Sequence, residues 1–117
     1  MKQRIEKINE LIKREMSQII VREIEAPDGS LITITRVETS EDLSDAKILI
    51  SIFPFSHSKK VLFILLKRIG EIQGFLNRRL AMRPLPRIRF VIDETEEKAS
   101  QIEHVLNKIK KESQTIE

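Results

Sequence analysis

Arg78, Arg79, Arg83, Arg87 and Arg89 crowd one short stretch of this chain. A guanidinium carries a planar fork of N–H donors that matches a phosphate bidentately and stays charged in water. The chemistry open to such a cluster is capture of a polyanion. Lys67 and Arg68 extend it upstream, and between positions 67 and 92 only Glu71 opposes it. Residues 93–117 carry seven acids against four lysines. A net charge of +3 therefore hides a polarised molecule. A run of like charge can serve solubility alone, but this asymmetry favours a nucleic acid as partner. Lys2, Arg4, Lys7, Lys13 and Arg14 form a second, looser group of RNA-binding candidates near the N-terminus.

Other chemistries find little support. The chain has no cysteine, which excludes disulfides, thiolate metal sites and cysteine nucleophiles. His57 and His104 lie far apart and lack metal-ligand spacing. Glu41, Asp42 and Asp45 lack the glycine and the terminal bidentate acid of a calcium loop, and read as a solvated turn in which Ser44 and Asp45 satisfy local amides. Neither Gly-rich phosphate-binding motif occurs. No acid, base and nucleophile set assembles, so no enzyme, cofactor, metal or small-molecule substrate is expected. With no Trp or Tyr and five Phe, placed mostly in apolar stripes, an aromatic stacking platform is not expected either; Phe75 is the one exception considered. Recognition should then run through phosphates and RNA shape, with strong salt dependence. The longest apolar run, VLFILL, is too short to cross a bilayer, and the charged N-terminus has no secretory h-region. A cytoplasmic monomer is expected.

Several elements must position the arginines. Ile5, Ile8, Ile12, Met16 and Ile19 recur at helical spacing and predict a helix over 2–25, ended by APDGS. LITITRVET (31–39) and AKILISIF (46–53) read as an antiparallel hairpin around the polar turn SEDLSD. Residues 59–82 are helical in pattern but contain Gly70 and Gly74, each unfavourable inside a helix. RPLP ends that element, and RIRFVID (87–93) alternates Ile88, Phe90 and Ile92 against Arg87 and Arg89. Asp93 with Glu96 resembles a capping box and predicts a last helix. The sum is one α+β domain over 1–112 with a frayed tail at 113–117: a three-stranded sheet with helices on one face.

In that order, the segments RIEKINELIKREMSQII, LITITRVETSEDLSDAKILIS and IQGFLNRRLAMRPLPRIRFVID resemble the bacterial ribosome-binding factor A family over nearly the whole chain. Thr35, Val37, Ser40, Asp42, Leu43, Ala46 and Ile48 fill the family's T-x-V-x-x-S-x-D-L-x-x-A-x-V pattern. Gly74, Leu76, Leu80, Arg83, Pro86, Ile88, Phe90 and Asp93 fit its later pattern. The resemblance implies a type II KH-like fold in which a helix–kink–helix with Ala-x-Gly replaces the usual KH loop. It places that kink at Gly74, with Ile72 where Ala is usual. It also implies a noncatalytic factor that binds 16S rRNA on the immature, free 30S subunit, aids late maturation including 5′-end processing, and supports growth in the cold. The alternative is a protein-binding adaptor whose basic face meets an acidic partner. On the kink reading, Arg78, Arg79 and Arg83 share a face with Arg87 and Arg89.

Overall fold

The computed structural model describes residues 2–82 and 85–95. A long first helix, α1 (Lys2–Glu23), buries Ile8, Ile12, Met16, Ile19 and Ile20 along one stripe. A short turn at Pro27–Gly29 follows, where Gly29 takes φ +71, a conformation that costs a Cβ-bearing residue more. Strands β1 (Leu31–Thr39) and β2 (Asp45–Phe53) form the hairpin. Two helices, α2 (Ser58–Lys67) and α3 (Ile69–Arg79), carry the chain to β3 (Arg87–Ile92). The expected C-terminal helix, the tail and Arg83 lie outside the described residues.

The sheet order is β1-β2-β3, with β1 antiparallel and β3 parallel to the central strand. A parallel neighbour requires a crossover, and α2 with α3 supplies it. Ala46, Ile48, Ile50 and Ile52 of β2, with Ile88 and Phe90 of β3, face the helices and join the stripe of α1 in one core. Val61 and Leu65 of α2 and Ile72 and Leu76 of α3 close it from above.

The strand 31–39 is not a plain alternation. Pairing runs Ile34↔Ile50 and then Arg36↔Leu49, so Thr35 is an extra residue. This bulge shifts the phase and brings both Ile34 and Val37 onto the buried side. The hairpin turn is held by Asp42, whose Oδ1 accepts the Ser44 amide at 3.1 Å and the Ser40 and Ser44 hydroxyls at 2.8 and 2.7 Å. Asp42, rather than Asp45, therefore satisfies the local amide, and it does so beside Leu43 at φ +62.

Both outer edges of the sheet meet helix side chains. Asn9 Oδ1 accepts the Thr39 amide at 2.9 Å, and Lys13 Nζ donates to the Thr35 carbonyl at 3.2 Å. On the far edge the Gln73 carboxamide accepts the Ile88 N–H at 2.9 Å and donates to the Pro86 carbonyl at 3.2 Å. Edge strands with free amides invite pairing with other chains, and these contacts blunt them.

The helix break corrects the expected position. Residues 59–82 do contain two helices, but the chain departs from helical geometry at Arg68 (φ −106, ψ 12), and Gly74 lies inside α3. A Cβ at Gly74 would meet only Arg78 Nη1, at 3.7 Å. Neither backbone strain nor close packing demands glycine there. Arg68 serves as C-cap of α2 and N-cap of α3, and its carbonyl accepts the Ile72 N–H at 3.0 Å.

Candidate nucleic-acid interface

The cations of the basic segment divide according to what holds them. Arg68 sends Nε and Nη2 to Glu71 Oε2 at 3.0 and 2.7 Å, and Nη1 to the carbonyl of Glu23 at the end of α1. It is a staple across the helix break. Glu71 also sits in the first turn of α3, where a carboxylate complements the exposed N–H groups of the helix. Arg79 reaches back to α1, with Nη1 at 3.2 Å from Glu15 Oε2 and 3.0 Å from Gln18 Oε1. Both guanidinium groups are therefore largely engaged within the molecule.

Arg78 behaves differently. One step along the helix turns a side chain by about 100°, and Arg78 stands exposed with its guanidinium 4.9 Å from the Phe75 ring centroid. That stacking limits the rotamers of Arg78 without neutralising it. Lys67 lies similarly over Phe63, at 5.5 Å.

Arg87 and Arg89 are exposed and alternate with Ile88 and Phe90, which face the helices. They therefore project from the opposite, open face of the sheet. The expected common face for Arg78, Arg79, Arg87 and Arg89 does not form, because α3 covers one side of β3 and these two arginines point from the other. Their neighbours in register are Asp45 and Lys47. Arg36 and Lys47 share Glu38, at 3.1 and 3.9 Å. Arg87 and Arg89 form no ion pair among the described residues.

The N-terminal group also divides. Lys2 opens α1. Arg4 and Lys7, with Ile8, Leu11 and Met82, line a groove of about 260 Å³. Lys13 is engaged at the sheet edge, and Arg14 lies 3.7 Å from Glu15. Met82 brings the chain after α3 against this groove, so Arg4 and Lys7 join the end of α3 on the helical side. The displayed cations stand in separate places: Arg4 and Lys7 along the groove on α1, Arg78 on α3, and Arg87 and Arg89 on the open face of the sheet.

Sequence reasoning missed two features here. Phe53 and Phe63 are largely exposed and Phe55 is partly so, whereas apolar stripes were expected to absorb most of the phenylalanines. Also, His57 Nδ1 lies 2.6 Å from Ser30 Oγ, which contacts the Pro27 carbonyl as well. Ser30 is buried, Asp28 faces Lys60 at 3.6 Å, and among the described residues no carboxylate is hydrogen-bonded to His57 to complete a triad. The pair clasps the turn before β1 to the one after β2.

Asp93, at the end of β3, is held below the ordinary carboxylate value, from 3.8 to about 2, by hydrogen bonds from Thr95 and Thr35. Thr35 Oγ1 donates to its Oδ2 at 2.7 Å. Among the described residues no group of acids and histidines could hold a metal ion, and no helix is long and apolar enough to cross a membrane.

A mixed three-stranded sheet, with a broken helix pair crossing between parallel strands and α1 packed on the same face, is the architecture of a type II KH-like domain. Comparison with known proteins resolves that class further. The family model described as ribosome-binding factor A matches residues 4–106, and the chain belongs to that family. It is 33% identical to ribosome-binding factor A of Halothermothrix orenii over 115 residues, covering 97% of this chain and 94% of the relative. The corresponding protein of Carboxydothermus hydrogenoformans is 36% identical over 109 residues, covering 92% and 87%. The crystal structure of ribosome-binding factor A from Thermus thermophilus superposes with a TM-score of 0.64 at 25% identity, over 75% of this chain and 93% of that one. A Thermus thermophilus ribosome binding factor A homology model fitted into the cryo-EM map of a 30S complex is similar, with TM-score 0.63 and 26% identity over 74% of this chain and 91% of that one.

Proposed function

We propose that this protein is a noncatalytic assembly factor that binds the immature small ribosomal subunit and contacts 16S rRNA. The observation that carries the reading is the exposure of Arg78, Arg87 and Arg89, none in an ion pair among the described residues, on a fold whose relatives are ribosome-binding factors. Guanidinium forks displayed in this way engage phosphates and release counterions. Gly74 is an ordinary position inside α3. Arg83, outside the described residues, is a further candidate for a phosphate contact. Lys2, Arg4 and Lys7 would contribute outer contacts, whereas Lys67 lies over Phe63 and is left out of the rRNA set, and Arg68, Arg79, Lys13 and Arg14 would mainly hold the scaffold. The role is passive or remodelling occupancy of the particle during late maturation, including 5′-end processing, in the cytoplasm and as a monomer, with importance for growth in the cold.

Co-sedimentation tests this reading. The protein should travel with free small subunits and be absent from translating 70S ribosomes at low salt. Recovery only in the soluble fraction of a ribosome-rich lysate would overturn it. Association with a partner that survives ribonuclease would instead support the adaptor reading.

A further inference from the structure

The outer side of α2 carries a surface that the proposed rRNA contacts do not use. Val61 and Leu65 point into the core. On the opposite side of the same helix stand Lys59, Phe63, Leu66 and Lys67. Phe63 is 62% and Leu66 50% exposed. They lie three apart, so their side chains adjoin and form one patch. Single exposed apolar residues are ordinary, but an adjoining aromatic and aliphatic pair on one helix face is the kind of anchor that protein interfaces bury. The charged side chains of α2 (SKKVLFILLK) are all lysines, with no acid in the helix. Lys60 is partly engaged with Asp28 at 3.6 Å, which leaves Lys59 and Lys67 at the two ends.

The chemistry of the patch favours a protein over a nucleic acid. Arginine, the fork that suits phosphate, is absent from α2 and is displayed on α3 and β3 instead. One face of the Phe63 ring is already taken by Lys67, which reduces its use as a base-stacking platform. Leu66 offers aliphatic surface, which a nucleobase exploits poorly and an apolar side chain exploits well. We infer that the Lys59–Phe63–Leu66–Lys67 face of α2 docks an acidic, amphipathic segment of another protein. Apolar side chains of that segment cover Phe63 and Leu66, and its carboxylates meet Lys59 and Lys67. This inference stands apart from the rRNA reading, since none of its residues belongs to the exposed arginine set.

The test replaces Phe63 in the full chain with the photo-crosslinker p-benzoylphenylalanine, with the same substitution at Leu31 as an exposed apolar control. After irradiation of growing cells, the adduct is digested and the joined peptide sequenced. The expected result is a protein adduct, absent from the Leu31 control, that maps to a segment with net negative charge. Lys59→Glu together with Lys67→Glu should lower the yield of that adduct by an order of magnitude or more, while thermal unfolding stays unchanged because both side chains are exposed. An adduct to RNA, an adduct to a segment without excess acid, no adduct above the control, or a yield indifferent to charge reversal would each overturn the inference. Small-subunit co-sedimentation of the charge-reversed protein is measured in parallel. Its retention with loss of the adduct separates this surface from the arginine surface, and failure of the protein with unchanged lysines to sediment while the Phe63 adduct still forms would count against the rRNA reading alone.

Discussion

Arg79 Nη1 lies 3.2 Å from Glu15 Oε2, so of two adjacent arginines the second is turned inward while the first is displayed. The two should therefore fail differently when replaced. Arg78→Ala, Arg87→Ala and Arg89→Ala should each flatten the log K against log salt slope for single-stranded rRNA fragments by about 0.7. Arg79→Ala should leave that slope unchanged and lower stability by about 1–2 kcal/mol, as loss of a charged hydrogen bond in a mostly covered site does. Filter binding over a salt series and denaturant melts check both. A slope change at Arg79 equal to that at Arg78 would contradict the division.

Gly74→Ala distinguishes a hinge from an ordinary helical position. Because α3 runs through Gly74 and a Cβ there touches only the far end of Arg78, alanine should stabilise the protein by about 0.5–1 kcal/mol through helix propensity. A chemical melt reads this directly. A clear loss of stability would reinstate the kink at that glycine.

Asp93 links stability to pH. Its folded value is depressed from 3.8 to about 2 by the hydrogen bonds of Thr95 and Thr35. A depressed carboxylate stabilises the fold above its unfolded value and loses that contribution as pH falls through the folded one. Melting temperature should therefore fall between pH 3.8 and about 2, and Asp93→Asn should remove part of that fall. Thermal scans of both proteins across this window give the comparison, with identical pH profiles counting against the linkage.

Gln73→Ala removes the partner of the Ile88 N–H and the Pro86 carbonyl. Leaving partly buried backbone groups unmatched should cost about 1–2 kcal/mol. Amide exchange at Ile88 should accelerate well beyond that at Val91. Equal acceleration along β3 would point to general unfolding instead.

The periodic parts of the fold were legible in the sequence. The stripe of α1 and the three strands follow from spacings of 3.6 and 2, which survive tertiary packing because they are what packing selects. The break in 59–82 was visible as a fact but misplaced. Glycine signals only a weak helix former, whereas the actual break is set by Arg68 bridging Glu71 and the end of α1, a contact between residues 45 positions apart in sequence. The resemblance reinforced the error, because Gly74 sits beside the more recognisable residues. The bulge at Thr35 left no trace, since a β-branched residue suits a strand in or out of register. The arginine cluster was legible as charge but not as geometry: Glu15 and Gln18 lie far away in sequence, and only the fold brings them to Arg79.

The capped sheet edges do more than repel other chains. Hydrophobic alternation detects a slip of one residue, because Ile48 and Ile50 would turn outward, but it is blind to a slip of two. Asn9, Lys13 and Gln73 are not blind to it. Gln73 asks for a carbonyl at Pro86, which has no N–H to offer, and an N–H two residues later at Ile88. Asn9 asks for the amide and hydroxyl of Thr39 together. A sheet assembled two residues out of step would strand these polar groups, so the helices verify the alignment of the strands and not only their faces.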